Sequence, residues 1–135
     1  MKPQNQVTSV ELSNKLKVLF QKINKYPPSI FYREWTGAKE DEISMFEGMT
    51  PDYYLDGVNC YTATELGNML PGQIFNESKE HPVHQYISEK SATLWHSCYV
   101  CTTCKGKLYS FWAETEVDCR AKMLIMLLEN NITID

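Results

Sequence analysis

Residues Leu94–Asn130 have the sequence LWHSCYVCTTCKGKLYSFWAETEVDCRAKMLIMLLEN, which predicts two strands followed by a long helix. The stretches on either side of Lys105-Gly106 are rich in aromatic and β-branched residues, which are typical of strands. A Lys-Gly pair between such stretches favours the positive φ that a tight reversal needs. The sequence therefore predicts an antiparallel hairpin made of Leu94–Thr103 and Lys107–Ala113.

A helix is predicted to begin directly after this hairpin, at Thr115. The Thr115 hydroxyl can accept the free amide of Asp118, and acidic residues here meet the positive end of the helix dipole. One broad apolar stripe, which we expect to face the sheet, consists of Val117, Ala121, Leu124, Ile125 and Leu128. A second strip, almost opposite, consists of Cys119, Met123 and Met126. This second strip is either buried under the N-terminal segment or a contact surface for a partner.

The rest of the chain predicts two further helices and several strands. Ser9–Lys25 has helical periodicity that ends before Pro27-Pro28, and Thr62 begins a short helix with a capping box. Strands are predicted at Ser29–Trp35 and Val83–Ser88, with a further candidate strand before the short helix. We therefore expect an α+β fold, an antiparallel sheet of three to five strands with two longer helices and one short helix packed on one face.

Length and composition limit the class of protein. The 135 residues, 43% of them hydrophobic, suit a single domain over residues 1–135, in which 38–51 is an acidic loop or a frayed helix. A net charge of −4 argues against a dedicated nucleic-acid binder. Because no secretion signal or membrane span is visible, we expect no membrane partner and a soluble cytoplasmic protein. The five cysteines form an odd set, which favours reduced thiols.

Three of these cysteines are candidates for a zinc site. Cys101 and Cys104 have the spacing of half a zinc knuckle, because two thiolates around a glycine turn can reach one ion. A regular hairpin, however, would place Cys98 and Cys104 on one face and Cys101 on the other. The missing ligands would have to come from Cys98 or from single residues elsewhere, namely His96, Cys60 or Cys119. The sequence therefore favours no metal and no cofactor, and zinc at Cys98, Cys101 and Cys104 is an alternative.

Catalytic residues are not identified by the sequence. His81, His84 and His96 are the histidines that could serve as a base beside a cysteine nucleophile, but no hydrolase, P-loop, metalloprotease or Rossmann motif is present. The segment His81-Pro82-Val83-His84 is more typical of a surface loop. The aromatic residues are typical of strands packed under helices, although the group Tyr53, Tyr54 and Tyr61 could be exposed for a partner.

Four segments together resemble a known group of proteins. They are SVELSNKLKVLF (9–20), SIFYREW (29–35), CYTATELGNMLPGQI (60–74) and ETEVDCRAKMLIMLLENNI (114–132). The group comprises small uncharacterised proteins encoded by phages and prophages of gut Bacteroidetes, and Thr62–Pro71 and Arg120–Ile125 are the most specific pieces. The resemblance implies an accessory protein in the cytoplasm of the bacterial host, without implying catalytic residues.

These observations favour a non-enzymatic domain that acts through protein contacts, with a homodimer as one form. The candidate contact residues are Tyr53, Tyr54, Tyr61, Cys119, Met123 and Met126. One alternative is a small zinc-stabilised or nucleic-acid-associated module, which bound zinc or salt-dependent binding would reveal. A second alternative is a small hydrolase or nuclease that uses the acidic residues and histidines.

Overall fold

The computed structural model describes residues 7–25, 27, 31–34, 42–45, 57–75 and 79–132. The helices in this part of the chain are α1 (Val10–Lys22), α2 (Ala63–Met69) and α3 (Glu116–Glu129). The strands are β1 (Phe31–Glu34), β2 (Glu42–Met45), β3 (Gly57–Cys60), β4 (Gln73–Phe75), β5 (Val83–Ser91), β6 (Leu94–Cys101) and β7 (Lys107–Ala113). The predicted α+β fold is confirmed. No helix among these residues is long and apolar enough to cross a membrane.

The strands form two antiparallel sheets. Strands β4-β5-β6-β7 make a four-stranded sheet in that order, and β2-β1-β3 make a three-stranded sheet. The predicted meander of β5, β6 and β7 is confirmed, whereas β4 was not predicted. The prediction of a loop or frayed helix over 38–51 is wrong at Glu42–Met45, which pairs with β1 as β2. A strand of four residues is specified by its pairing partner rather than by a local periodic pattern.

Helix α3 lies between the four-stranded sheet and the other two helices. It contacts β5, β6 and β7, and it also contacts α1 and α2. The Cys119 thiol lies 3.4 Å from the carbonyl oxygens of Trp95 and Phe111, so the Cys119 side of α3 faces the sheet. The predicted apolar stripe is on the opposite side of α3 and faces α1 and α2. The predicted orientation of α3 was therefore wrong by about half a turn, because a helix with neighbours on both sides carries apolar residues on both sides.

The helix starts follow the predicted capping chemistry. In α2 the Thr62 hydroxyl accepts from the Glu65 amide at 3.2 Å, and the Glu65 carboxylate accepts from the Thr62 amide at 3.0 Å. In α3 the Thr115 hydroxyl accepts from the Asp118 amide at 3.2 Å. In α1 the cap is Ser9, and Asp118 in turn accepts from the Ser9 amide at 3.2 Å. The cap of α1 is thus linked directly to the first turn of α3.

Candidate metal centre

The turn between β6 and β7 brings two cysteines together. Strand β6 ends at Cys101, two residues earlier than predicted, and the turn closes with hydrogen bonds from the Cys101 amide to the Gly106 carbonyl (2.8 Å) and from the Lys105 amide to the Cys101 carbonyl (3.1 Å). Lys105 has a φ of 63°, which supplies the expected left-handed residue. Because Cys104 lies in this turn and not on a strand, the predicted separation of Cys101 and Cys104 onto opposite faces was wrong.

A histidine from the segment before β5 joins this pair. The Thr102 amide donates to the Val83 carbonyl at 3.1 Å, which holds the turn against the start of β5. Nδ1 of His81 lies 3.5 Å from Sγ of Cys101, and the ligand atoms of His81, Cys101 and Cys104 all lie within 4.8 Å of one another. The prediction that His81 and His84 are surface residues was wrong for His84, which is buried in β5, whereas His81 is partly buried.

The position of His81 follows from strand register. His84 of β5 is paired with Cys101 of β6, so continuing the same register beyond both strands places residue 81 opposite residue 104. Periodicity of a single segment carries no information on this register. Pairing the start of β5 with the end of β6 residue by residue would have identified His81 as a third candidate ligand.

Hydrogen bonds in the turn stabilise negative charge on sulfur. The Thr103 hydroxyl lies 3.1 Å from Sγ of Cys101, and the Gly106 amide donates to Sγ of Cys104 at 3.3 Å. The Thr103 hydroxyl, followed by the backbone amide of Cys104, lowers the pKa of the Cys101 thiol from 9.0 to about 5. A thiolate rather than a thiol is the metal ligand, so the turn prepares Cys101 for coordination.

The second nitrogen of His81 faces a carboxylate. Nε2 of His81 lies 4.0 Å from Oε2 of Glu80, while Nδ1 faces the cysteines. Histidines that bind metal through one nitrogen usually donate the other N–H to a carboxylate, a carbonyl or water, which fixes the ring and the tautomer. At 4.0 Å the carboxylate of Glu80 is an electrostatic neighbour of the His81 ring and not a hydrogen-bond partner.

One distance between the ligand atoms matches the distance expected on a tetrahedral ion. With Zn–S bonds of about 2.3 Å and Zn–N bonds of about 2.0–2.1 Å, a sulfur and a nitrogen on one tetrahedral zinc are about 3.5 Å apart. The Cys101 Sγ to His81 Nδ1 distance is 3.5 Å. Three donor atoms of the kind that zinc prefers are thus close enough to bind one ion.

The other cysteines do not join this site. Cys98 lies on β6 opposite Ile87, is 1% exposed, and burial raises the pKa of its thiol. Its inclusion among the zinc candidates was wrong, because the turn begins only after Cys101. Cys60 and Cys119 are also buried, at 0% exposure each.

Of the four predicted contact residues that the structure describes, three are buried. Tyr61 is 2% exposed and donates its hydroxyl to the Pro27 carbonyl at 3.1 Å. Cys119 and Met123 are both 0% exposed because α3 is covered on the sheet side, so the idea that they form a contact surface is wrong. Met126 is partly exposed. Tyr53 and Tyr54 lie outside the described residues.

No family model matches the sequence, and no match was found among curated proteins or among solved structures. The resemblance to phage-encoded proteins therefore stays a prediction.

Proposed function

We propose that the chain is a zinc-stabilised domain in which His81, Cys101 and Cys104 hold one Zn²⁺. The observation that supports this proposal is the convergence of three ligand atoms within 4.8 Å from two separate segments. Two thiolates and an imidazole favour zinc over the hard cations calcium and magnesium, which take oxygen ligands. The accessory role in a phage or prophage that the resemblance implies is compatible with such a domain.

The proposed ion would connect parts of the fold that the hydrogen bonds already bring together. His81 precedes β5, whereas Cys101 and Cys104 lie at the end of β6 and in the turn that follows. Because the unfolded chain does not hold these ligands in place, the free energy of zinc binding adds to the free energy of folding. Three protein ligands leave a fourth position for water or for a donor atom of a partner.

The proposal is tested by metal content and by stability. We expect one zinc per purified chain and a melting temperature that falls when a strong chelator removes it. At a free zinc concentration about 100 times Kd, the stabilisation should be about 2.7 kcal/mol. Cys104→Ser and His81→Ala should each lower the metal content and the zinc-dependent rise in melting temperature. Cys98→Ala is the control, because it removes a cysteine of β6 that lies outside the proposed site and should keep one zinc.

Alkylation of the thiols gives an independent measurement. Cys104 is exposed, whereas Cys60, Cys98 and Cys119 are buried. In the folded, metal-free protein we expect iodoacetamide to modify Cys104 first, and zinc should protect it. Absence of stoichiometric zinc together with an unchanged alkylation rate after zinc is added would overturn the proposal.

A second candidate function is contact with a protein segment, supported by a groove between α1 and α3. The groove has a volume of about 570 Å³, and its apolar wall consists of Leu12, Phe111, Ile125 and Met126. The groove is also lined by the charged residues Glu11, Lys15, Asp118, Lys122 and Glu129. A mixture of apolar and charged side chains is typical of surfaces that bind another chain. Met126 is the predicted contact residue that the fold leaves accessible there.

A further inference from the structure

Three polar side chains lie in a row across the sheet face opposite α3, namely Glu89, His96 and Ser110. The helix-facing side carries Tyr86, Tyr99 and Phe111, which pack in or against the core. Glu89 of β5 and His96 of β6 are direct register partners, and His96 is the register partner of Trp112 in β7. Ser110 precedes Trp112 by two residues and therefore points to the same face as His96.

The side chains in this row contact one another in sequence. Oγ of Ser110 forms a short hydrogen bond with Nε2 of His96. Nδ1 of His96, on the other edge of the ring, lies 3.8 Å from Oε1 of Glu89. A hydroxyl, an imidazole and a carboxylate in this order are the groups that activate a serine nucleophile, whatever the fold.

The imidazole in the middle of the row is held firmly. His96 is 1% exposed, and its ring is stacked on the Trp112 ring with centroids 4.1 Å apart and an interplanar angle of 15°. This packing fixes the ring plane, so each nitrogen keeps its own neighbour. Ser110, in contrast, is exposed and within reach of a dissolved molecule.

A bulge in β7 lies next to Ser110. The register with β6 shifts between Ser97 and Tyr99, and Tyr109 has a φ of 53°. A left-handed conformation is costly for an aromatic residue, and such strained positions and bulges are concentrated where a side chain must be re-aimed for function. The bulge makes Leu108 rather than Tyr109 the register partner of Tyr99, and the strained residue directly precedes Ser110.

We propose that Ser110 is a nucleophile for acyl transfer from carboxylic esters, with His96 as its base and Glu89 as a positioning residue. The substrate class is an ester with an apolar or aromatic group, because the exposed Trp112 ring, 47% accessible, offers an apolar surface beside Ser110. This function is separate from the proposed zinc centre and does not depend on it.

The chemical step balances with water as the co-reactant. Oγ of Ser110 bonds to the carbonyl carbon while its proton passes to Nε2 of His96. The bond from that carbon to the alcohol oxygen breaks, and the proton leaves with the alcohol. Water then attacks the acyl carbon, its proton passes through His96 back to Oγ, and the carboxylic acid is released. Because 4-nitrophenolate is a better leaving group than the Ser110 alkoxide, we expect a 4-nitrophenyl ester to acylate Ser110 faster than water hydrolyses the acyl-enzyme.

The test uses 4-nitrophenyl acetate and an alkyl fluorophosphonate with the full chain. Both are applied in chelator, because water bound to zinc would also hydrolyse esters. We expect one acetyl or phosphonyl group per chain, located on Ser110 by peptide mapping. Ser110→Ala should abolish this label. His96→Asn should slow acylation by about 10²–10⁴-fold, the usual contribution of a general base.

Because His96 is buried, His96→Asn could prevent folding. Variants of the exposed residues Ser91 and Glu89 therefore provide a further test. Ser91→Ala, at the end of β5, is the control for an exposed serine and should leave the label unchanged. Glu89→Gln should lower kcat for acylation with little effect on KM, which a purely structural role would not produce, and Glu89→Asp should partly restore kcat. A Ser110 that is modified no faster than Ser91, or a label confined to Cys104 or lysines, would overturn the proposal.

Discussion

Gly67 leaves the space that the Arg120 guanidinium occupies. A Cβ at position 67 would lie 2.4 Å from Nη1 of Arg120, a separation that no real contact tolerates. The same Nη1 donates to the Ala63 carbonyl at 2.7 Å, and Nη2 lies 3.4 Å from Glu116. The glycine in the middle of α2 therefore permits a charged hydrogen bond that joins α2 to α3.

We expect Gly67→Ala to destabilise the protein, although alanine is the better helix former. The helix propensity alone favours the alanine by about 1 kcal/mol. Displacing Arg120 would remove a charge-assisted hydrogen bond, which contributes about 1.5–3 kcal/mol. The net loss in the free energy of unfolding should be about 0.5–2 kcal/mol, measured by urea denaturation.

The control for this prediction is Gly67→Ala in a protein that lacks the Arg120 side chain. In an Arg120→Ala background, Gly67→Ala should become stabilising by about 1 kcal/mol, because only the propensity remains. The sign of the Gly67→Ala effect thus depends on residue 120. Equal effects in both backgrounds would show that Arg120 moves aside without losing a useful contact.

The contact between α2 and α3 also illustrates which structural features a local sequence pattern can predict. Thr62–Pro71 and Arg120–Ile125 are the pieces on which the family resemblance chiefly depends, and the structure packs α2 and α3 against each other. The caps at Thr62 and Thr115 were predictable because a cap is decided by three or four neighbouring residues. The side of α3 that faces the sheet was not predictable in this way, because it depends on the position of two other helices.

The candidate metal site, too, could be predicted from the sequence only in part. The Cys101 and Cys104 spacing is visible in the sequence, since both belong to one turn. The contribution of His81 depends on the pairing of β5 with β6, and the row of Glu89, His96 and Ser110 depends on three strands and a bulge. Residues far apart in sequence meet through register, which a one-residue shift would alter completely.

The two central methionines of α3 should respond differently to truncation. Met123 is 0% exposed, so Met123→Ala should cost about 2–5 kcal/mol of unfolding free energy. Met126 is partly exposed at the groove between α1 and α3, and Met126→Ala should cost less than about 1 kcal/mol. Urea denaturation of the two variants measures the difference. Equal costs would mean that the groove is closed over Met126 in solution.

The Cys119 thiol predicts a specific dependence of stability on pH. Burial raises the pKa of this thiol from 9.0 to about 11. Between these values the folded protein keeps the proton and the unfolded chain loses it, so the unfolded state binds fewer protons. The stabilisation is fully present below pH 9 and is lost as the pH rises towards 11. The difference between the two pKa values corresponds to at most about 3 kcal/mol.

Removing the thiol should remove this dependence. We expect the unfolding free energy of the wild-type protein to fall more steeply between pH 9 and pH 11 than that of Cys119→Ala, with both measured by urea denaturation in chelator and reductant. Other groups that titrate in this range are present in both proteins, so the contributions of those that do not interact with Cys119 cancel to a first approximation. Cys104→Ala removes an exposed thiol instead and should keep the steep fall. If the wild-type and Cys119→Ala curves ran parallel, solvent would have to reach the Cys119 sulfur, and the close packing of α3 on the sheet would be wrong at this point.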